Sequence, residues 1–147
     1  SEKKHTFIST GMSTDDDIKT ATEIFEKNEC SYTLMHCVST YPCEDQDCNV
    51  LGLATLRQKY KCDVGYSGHE SGLFPTILAA TLGASVVERH ITLDKNMYGS
   101  DQSASLEPEE LARLIGILSV IPPIMGTGEK TFSDAEKAVA EKLRYWL

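Results

Sequence analysis

Two stretches decide how this chain is read: GYSGHESG at residues 65–72 and SVVERHITLD at residues 85–94. Each carries polar residues two apart, Ser67 with His69 and Glu88 with His90. On a β-strand, side chains two apart point to the same face, so each stretch offers a pair of functional groups to one side of a sheet. The surrounding run LGASVVERHITL is otherwise apolar and β-branched, the composition of a strand buried in a parallel sheet. Ionisable groups there are costly unless paired, hydrogen-bonded or metal-bound. His69 and His90 together supply two imidazole nitrogens to a divalent metal site, with Asp101 or Glu70 as candidate oxygen ligands. The alternative for either histidine alone is a satisfied core residue or a surface one.

Working outward, β-rich and helical runs alternate four times, which predicts strand-then-helix units around a parallel sheet, an α/β fold. HTFISTG is followed by Thr14 as a cap, by Asp15, Asp16 and Asp17 in the positive first turn, and by Ile18, Ala21 and Phe25 at helical spacing. SYTLMHCVSTYP leads, after a polar loop, to a helix through Leu53, Leu56 and Tyr60. KCDVGYSG precedes a helix around Ile77, Leu78 and Thr81, with Gly83 as its C′ glycine. SVVERHITL is followed by a long loop and a helix from Pro108 that turns Leu111, Leu114, Ile115 and Leu118 inward and stops at Pro122 and Pro123. The last stretch, residues 126–147, reads either as a tail or linker leaving the fold or as a terminal helix.

The polar residues gather where such sheets carry their sites, at the carboxyl ends of strands. Ser9 and Thr10 end the first strand, Ser39 and Tyr41 the second, Ser67 and His69 the third, Glu88 and His90 the fourth. Singly, a Ser or Thr at a strand end only starts a turn or caps a helix. Agreement across all four units points to a site.

Composition narrows the function classes. The 147 residues suit one domain, and 41% hydrophobic with 24% charged residues is ordinary for a globular chain. A formal net charge of -8, with no cluster of Lys and Arg, argues against a nucleic-acid surface. The sequence has no 18-residue apolar run and no secretory leader, so no membrane partner and a cytoplasmic location are expected. Cys30, Cys37, Cys43, Cys48 and Cys62 are odd in number and irregular in spacing, which predicts reduced thiols. A metal clip at Cys43 and Cys48 around CEDQDC is the minor alternative.

The motifs STGM (9–12), HCVSTYP (36–42), GYSGHE (65–70), LGASVVERHITLD (82–94) and YGSDQSASLEPEEL (98–111), in this order, resemble the second half of the sialic acid synthases from about Phe7 to Met125. Single motifs such as STG are weak, whereas the ordered set is specific. The resemblance implies the C-terminal half, strands five to eight with their helices, of a (β/α)8 TIM barrel over residues 1–125, with residues 126–147 leaving the barrel. It implies a phosphoenolpyruvate-dependent condensation with an N-acylmannosamine or its 6-phosphate, giving N-acetylneuraminate or a related nonulosonic acid and releasing phosphate. It carries a divalent metal, manganese first and magnesium or cobalt next, onto His69 and His90. Ser9 and Ser67 match positions that hold phosphoenolpyruvate, and Ser39 stands where many members have asparagine. Tyr41 matches a substrate-side aromatic, Glu88 a carboxylate near the reacting centre, and Asp101 a carboxylate contacting the acylamino sugar.

The same resemblance implies an inactive fragment of a homodimeric enzyme, with phosphoenolpyruvate-binding lysines in the half outside this sequence. A half-barrel is expected to expose two strand edges and one apolar sheet face. Two other readings stay open: another metal-dependent aldolase or hydrolase, and a non-catalytic half-barrel serving binding or assembly.

Overall fold

The computed structural model describes residues 2–146. Four strands, β1 (Thr6–Ser9), β2 (Tyr32–Cys37), β3 (Val64–Gly68) and β4 (Val87–Arg89), form one parallel sheet in sequential order. Helices α1 (Asp15–Lys27), α2 (Gly52–Tyr60) and α3 (Phe74–Thr81) connect them, and α4 (Pro108–Met125) and α5 (Asp134–Leu143) follow. Repeated strand–helix crossovers build a four-stranded parallel sheet, as the alternating pattern predicts.

Strand alternation sets the two faces of the sheet. Leu34, Val64 and Tyr66 are buried with Leu53 of α2 and Ala79 of α3, and Ile8, Ile18 and Tyr32 pack against them. The alternate residues, Phe7, Ser9, Thr33, Met35, Cys37, Ser67 and Glu88, therefore share the inner face. That face is mixed rather than apolar: Phe7 and Glu88 are exposed, whereas Met35, Cys37 and Ser67 are buried. Gly65 is required at its position, because a Cβ there would lie 2.6 Å from Met35 Sδ and 2.4 Å from Val86 Cγ1.

Local chemistry sets the helix ends. Thr14 caps α1 in a reciprocal capping box with Asp17, and Asp15–Asp17 fill the positive first turn. Gly83, at φ +86°, closes α3 in a Schellman arrangement, Gly83 N donating to Ala80 O (3.0 Å) and Ala84 N to Ala79 O (2.9 Å). Arg57 of α2 then caps the Leu82 and Gly83 carbonyls. Pro108 occupies the first turn of α4, and Glu107 and Glu110 form its capping box.

Three expectations are corrected. Pro122 and Pro123 do not stop α4; it runs to Met125 and ends at Gly126, φ +62°. The prolines are exposed in the last turns, where carbonyls deprived of a helical donor can bond water. Ile115 does not turn inward and is 58% exposed, while Leu114 is buried. β4 is three residues long rather than spanning residues 85–93, because it is the last strand and pairing with β3 ends at Gly68–Arg89. Beyond it Ile91 bridges to Leu106 instead. The terminal stretch carries a helix, α5, capped by Ser133 and Glu136; Ala140 is its one buried residue, in a segment where Arg144 lies over the Phe132 ring.

Candidate active site at the ends of the third and fourth strands

On the inner face, Cys37, Ser67 and Glu88 are level across three adjacent strands. Ser67 is buried and donates its hydroxyl proton to Glu88 Oε1 at 2.7 Å. Two residues further along, just past the ladder, His69 and His90 meet edge to face with ring centroids 5.2 Å apart. Tyr41 lies against both, 4.3 Å from the His69 centroid and 5.5 Å from that of His90.

Its neighbours determine the His69 tautomer. Its Nδ1 is 2.7 Å from the Val38 carbonyl, which can only accept, so Nδ1 carries the hydrogen and the neutral ring presents a bare Nε2. A metal-ligating imidazole is commonly held in this way. Cys43 N fixes the backbone beside it, donating to the His69 carbonyl at 2.9 Å. His90 is partly exposed, and its Nδ1 sits 3.7 Å from Asp101 Oδ2, beyond hydrogen-bond reach. Ser100 donates to the other Asp101 oxygen.

Tyr41, Ser67, His69, Glu88, His90 and Asp101 thus converge as expected from sequence. Of the other two, Ser9 lies further off and Ser39 lies next to Cys37. Ser9 pairs in register with Met35 and so lies level with Gly65, two residues below Ser67 and, at two strand spacings, roughly 10 Å across the sheet. Ser39 is half-buried beside Gly11, where a Cβ would come within 2.1 Å of its Oγ; glycine there lets the chain after β1 approach the serine closely. Thr10 is buried and spends its hydroxyl on the Met35 carbonyl.

Glu70 is not available as the oxygen ligand considered above. It is fully buried on the helix-facing side, with Oε1 accepting from Arg89 and Thr76 and Oε2 from Tyr66. Among the described residues no set of three or more His, Cys, Asp or Glu is arranged to hold a metal, and that includes Cys43 and Cys48, whose sulfurs lie 3.7 Å apart. The site instead offers two imidazoles on one side, a donor set that fits an ion completed by ligands from elsewhere.

Sequence reading missed two contributors. The Val38 carbonyl orients His69, and nothing in a residue's type announces such a main-chain role. Cys37 lies on the same face as Ser67; burial pushes its thiol above the usual range, against the opposing amides of Gly11 and Thr10. Its place two residues before Ser39 was the available signal. The Tyr41–Pro42 peptide is cis.

Parallel β/α units with ionisable side chains at the carboxyl ends of their strands place the chain in the TIM-barrel-like class of α/β folds. Residues 1–130 match the NeuB family, and the chain belongs to that family. It is 40% identical to the N,N'-diacetyllegionaminic acid synthase of Campylobacter jejuni over 137 residues, 91% of this chain and 41% of that protein. It is 39% identical to the human N-acetylneuraminate-9-phosphate synthase over 137 residues, 92% of this chain and 38% of that one. A crystal structure of the N-acetylneuraminic acid synthetase of Leptospira borgpetersenii, in complex with citrate, superposes with a TM-score of 0.82 at 35% identity, covering 95% of this chain and 49% of that one. The chain therefore spans about two fifths of the curated relatives it matches. No helix among the described residues is long and apolar enough to cross a membrane.

Proposed function

We propose that this chain supplies the strand-five-to-eight half of a cytoplasmic, homodimeric synthase that condenses phosphoenolpyruvate with an N-acylmannosamine or its 6-phosphate. In that reaction the enol carbon bonds to the sugar's aldehyde carbon, water adds at the second carbon of the phosphoenolpyruvate moiety, and phosphate leaves. The observation that carries the reading is the convergence of Tyr41, His69 and His90 beside the Ser67–Glu88 pair. Membership of a family whose named relatives make sialic and legionaminic acids supports the reaction class.

Residue roles follow from chemistry. His69 and His90 would hold a divalent ion, manganese before magnesium or cobalt, with the Val38 carbonyl keeping the His69 Nε2 lone pair free. Such an ion, when bound, supplies Lewis-acid polarisation of an aldehyde oxygen. Glu88, exposed on the inner face, serves as acid or base at the reacting carbons. Ser67 donates to the phosphoenolpyruvate anion, with Ser9 and Ser39 contributing from the ends of β1 and β2. Tyr41 walls the sugar side, and Asp101 accepts from the acylamino group.

The test joins this chain to the complementary portion of the Campylobacter jejuni relative and measures phosphate released from phosphoenolpyruvate with N-acetylmannosamine and manganese. Release that depends on the sugar and is lost in Glu88→Gln is expected. Ser67→Ala should raise the KM for phosphoenolpyruvate more than that for the sugar. A soluble, folded assembly that releases no phosphate with either the free or the 6-phosphorylated sugar would sink the proposal.

A further inference from the structure

On the opposite side of the sheet from the histidines lies a second polar cluster that the proposed chemistry does not use. Glu70 and the Arg89 side chain are 0% and 3% exposed and form an ion pair at 3.0 Å. Arg89 Nη1 also reaches the Gly72 carbonyl and Thr76 Oγ1, each at 3.0 Å, and Nη2 donates to the Glu70 carbonyl. Glu70 accepts in addition from Thr76 N at 3.1 Å in the first turn of α3, and from the Tyr66 hydroxyl at 3.1 Å.

We infer that Glu70 and Arg89 are positioning residues that fix the spacing of His69 and His90. The inference rests on the reading of that histidine pair as a metal site. Glu70 directly follows His69, and Arg89 directly precedes His90. The β3–β4 ladder ends at the pair Gly68–Arg89, so the two histidines lie one residue beyond the last backbone pair between those strands. The guanidinium takes over where the ladder stops: from β4 it grips the carbonyls of Glu70 and Gly72, the two that bracket the turn leaving β3. Gly68 makes this possible, since a Cβ there would sit 2.6 Å from Glu70 Oε2 and 2.8 Å from Arg89 Cδ.

Stability alone does not account for the pair. A buried ion pair commonly contributes no more than apolar residues of similar volume would, whereas it can enforce one arrangement. Arg89 Nε is buried without a partner, so the guanidinium is placed to serve the two carbonyls rather than to satisfy all its own donors. Residues behind the ligands of a metal site typically alter its affinity about 10- to 100-fold when changed.

The test uses the full 147-residue chain and four variants: Tyr66→Phe, Glu70→Gln, Arg89→Met and Glu70→Gln/Arg89→Met. Urea unfolding reports the fold. Long-range proton–nitrogen spectra of the imidazoles report the His69 tautomer, and nuclear Overhauser contacts report the meeting of His69, His90 and Tyr41. Arg89→Met should be the least stable, because it strands a buried carboxylate. The double variant should regain stability yet keep weakened His69–His90 contacts, with manganese affinity about 10- to 100-fold lower. Tyr66→Phe, which removes one neutral bond, should shift the imidazole signals least. A folded double variant with the parental imidazole pattern would overturn the inference, as would a full set of folded single variants showing that pattern. A parent with the expected imidazole pattern but no affinity for manganese would instead sink the metal reading and leave the positioning role standing, since the spectra need no metal.

Discussion

The two sides of the β3–β4 junction are built from interleaved residues and have opposite characters. Tyr66, Gly68, Glu70 and Arg89 face the helices, where charges are buried and almost every polar atom is spent on a neighbour. Ser67, His69, Glu88 and His90 face inward, where Glu88 is exposed and the imidazoles keep a free nitrogen edge. One side uses polarity to hold a shape, and the other leaves polarity unspent for something that arrives. Unspent hydrogen-bonding capacity, more than polarity itself, separates a site from a strut.

The sharpest way to break this contrast is to damage each side in turn. Arg89→Ala should destabilise by about 3–5 kcal/mol, the usual result of removing one partner from a buried ion pair, measured by urea unfolding. A loss below about 1 kcal/mol would mean that the helix-facing cluster is no strut. Gly68→Ala should cost about 1–3 kcal/mol through overpacking against Glu70 and Arg89, read in the same assay. On the inner face, Ser67→Ala and His90→Ala should stay within about 1 kcal/mol of the parent, because the partners they leave are at least partly exposed to water. His69→Ala and His90→Ala are each expected to abolish the manganese relaxation signal of the chain, and retention in both folded variants would remove the metal assignment.

The smallest expected effect lies further out, at Lys95 and Glu110. Burial opposes ionisation of Glu110, but the Lys95 ammonium and the Glu107 amide prevail and hold its carboxyl below the ordinary value of 4.5. A depressed carboxyl contributes stability above its unfolded value and loses it as the pH falls through the folded one. Lys95→Met should therefore flatten the acid side of the stability profile by slightly lowering stability at neutral pH, with nearly no change at pH values low enough to protonate Glu110 in both chains, as read by urea unfolding against pH. The pair is partly exposed, so the amplitude is small.

Much of the fold was legible because its signals are local. Thr14 and Asp17, Pro108, and Gly83 mark element ends by chemistry that acts within a few residues. The site was legible through the two-residue repeat, since Ser67 with His69 and Glu88 with His90 must share a face wherever the strands lie. What stayed hidden depends on partners distant in sequence. Glu70 reads as a potential ligand until Arg89 and Thr76 are seen to claim it. The early end of β4 follows from its position at the sheet edge, which residue composition does not express. Ile115 breaks the inward stripe for a related reason: α4 packs on α3 over a narrow seam, and the apolar pattern is wider than the surface it meets.

The Ser67 hydroxyl has one hydrogen, and that hydrogen already points at Glu88. A serine cannot donate to two acceptors at once, so an anion seeking the same donor and the Glu88 carboxylate form an exclusive choice. The carboxylate then has to turn to water or to another donor. Occupancy at Ser67 is thereby transmitted to Glu88 through a single bond, and the strand pairing that sets Ser67 beside Glu88 works as a two-position relay one hydrogen wide.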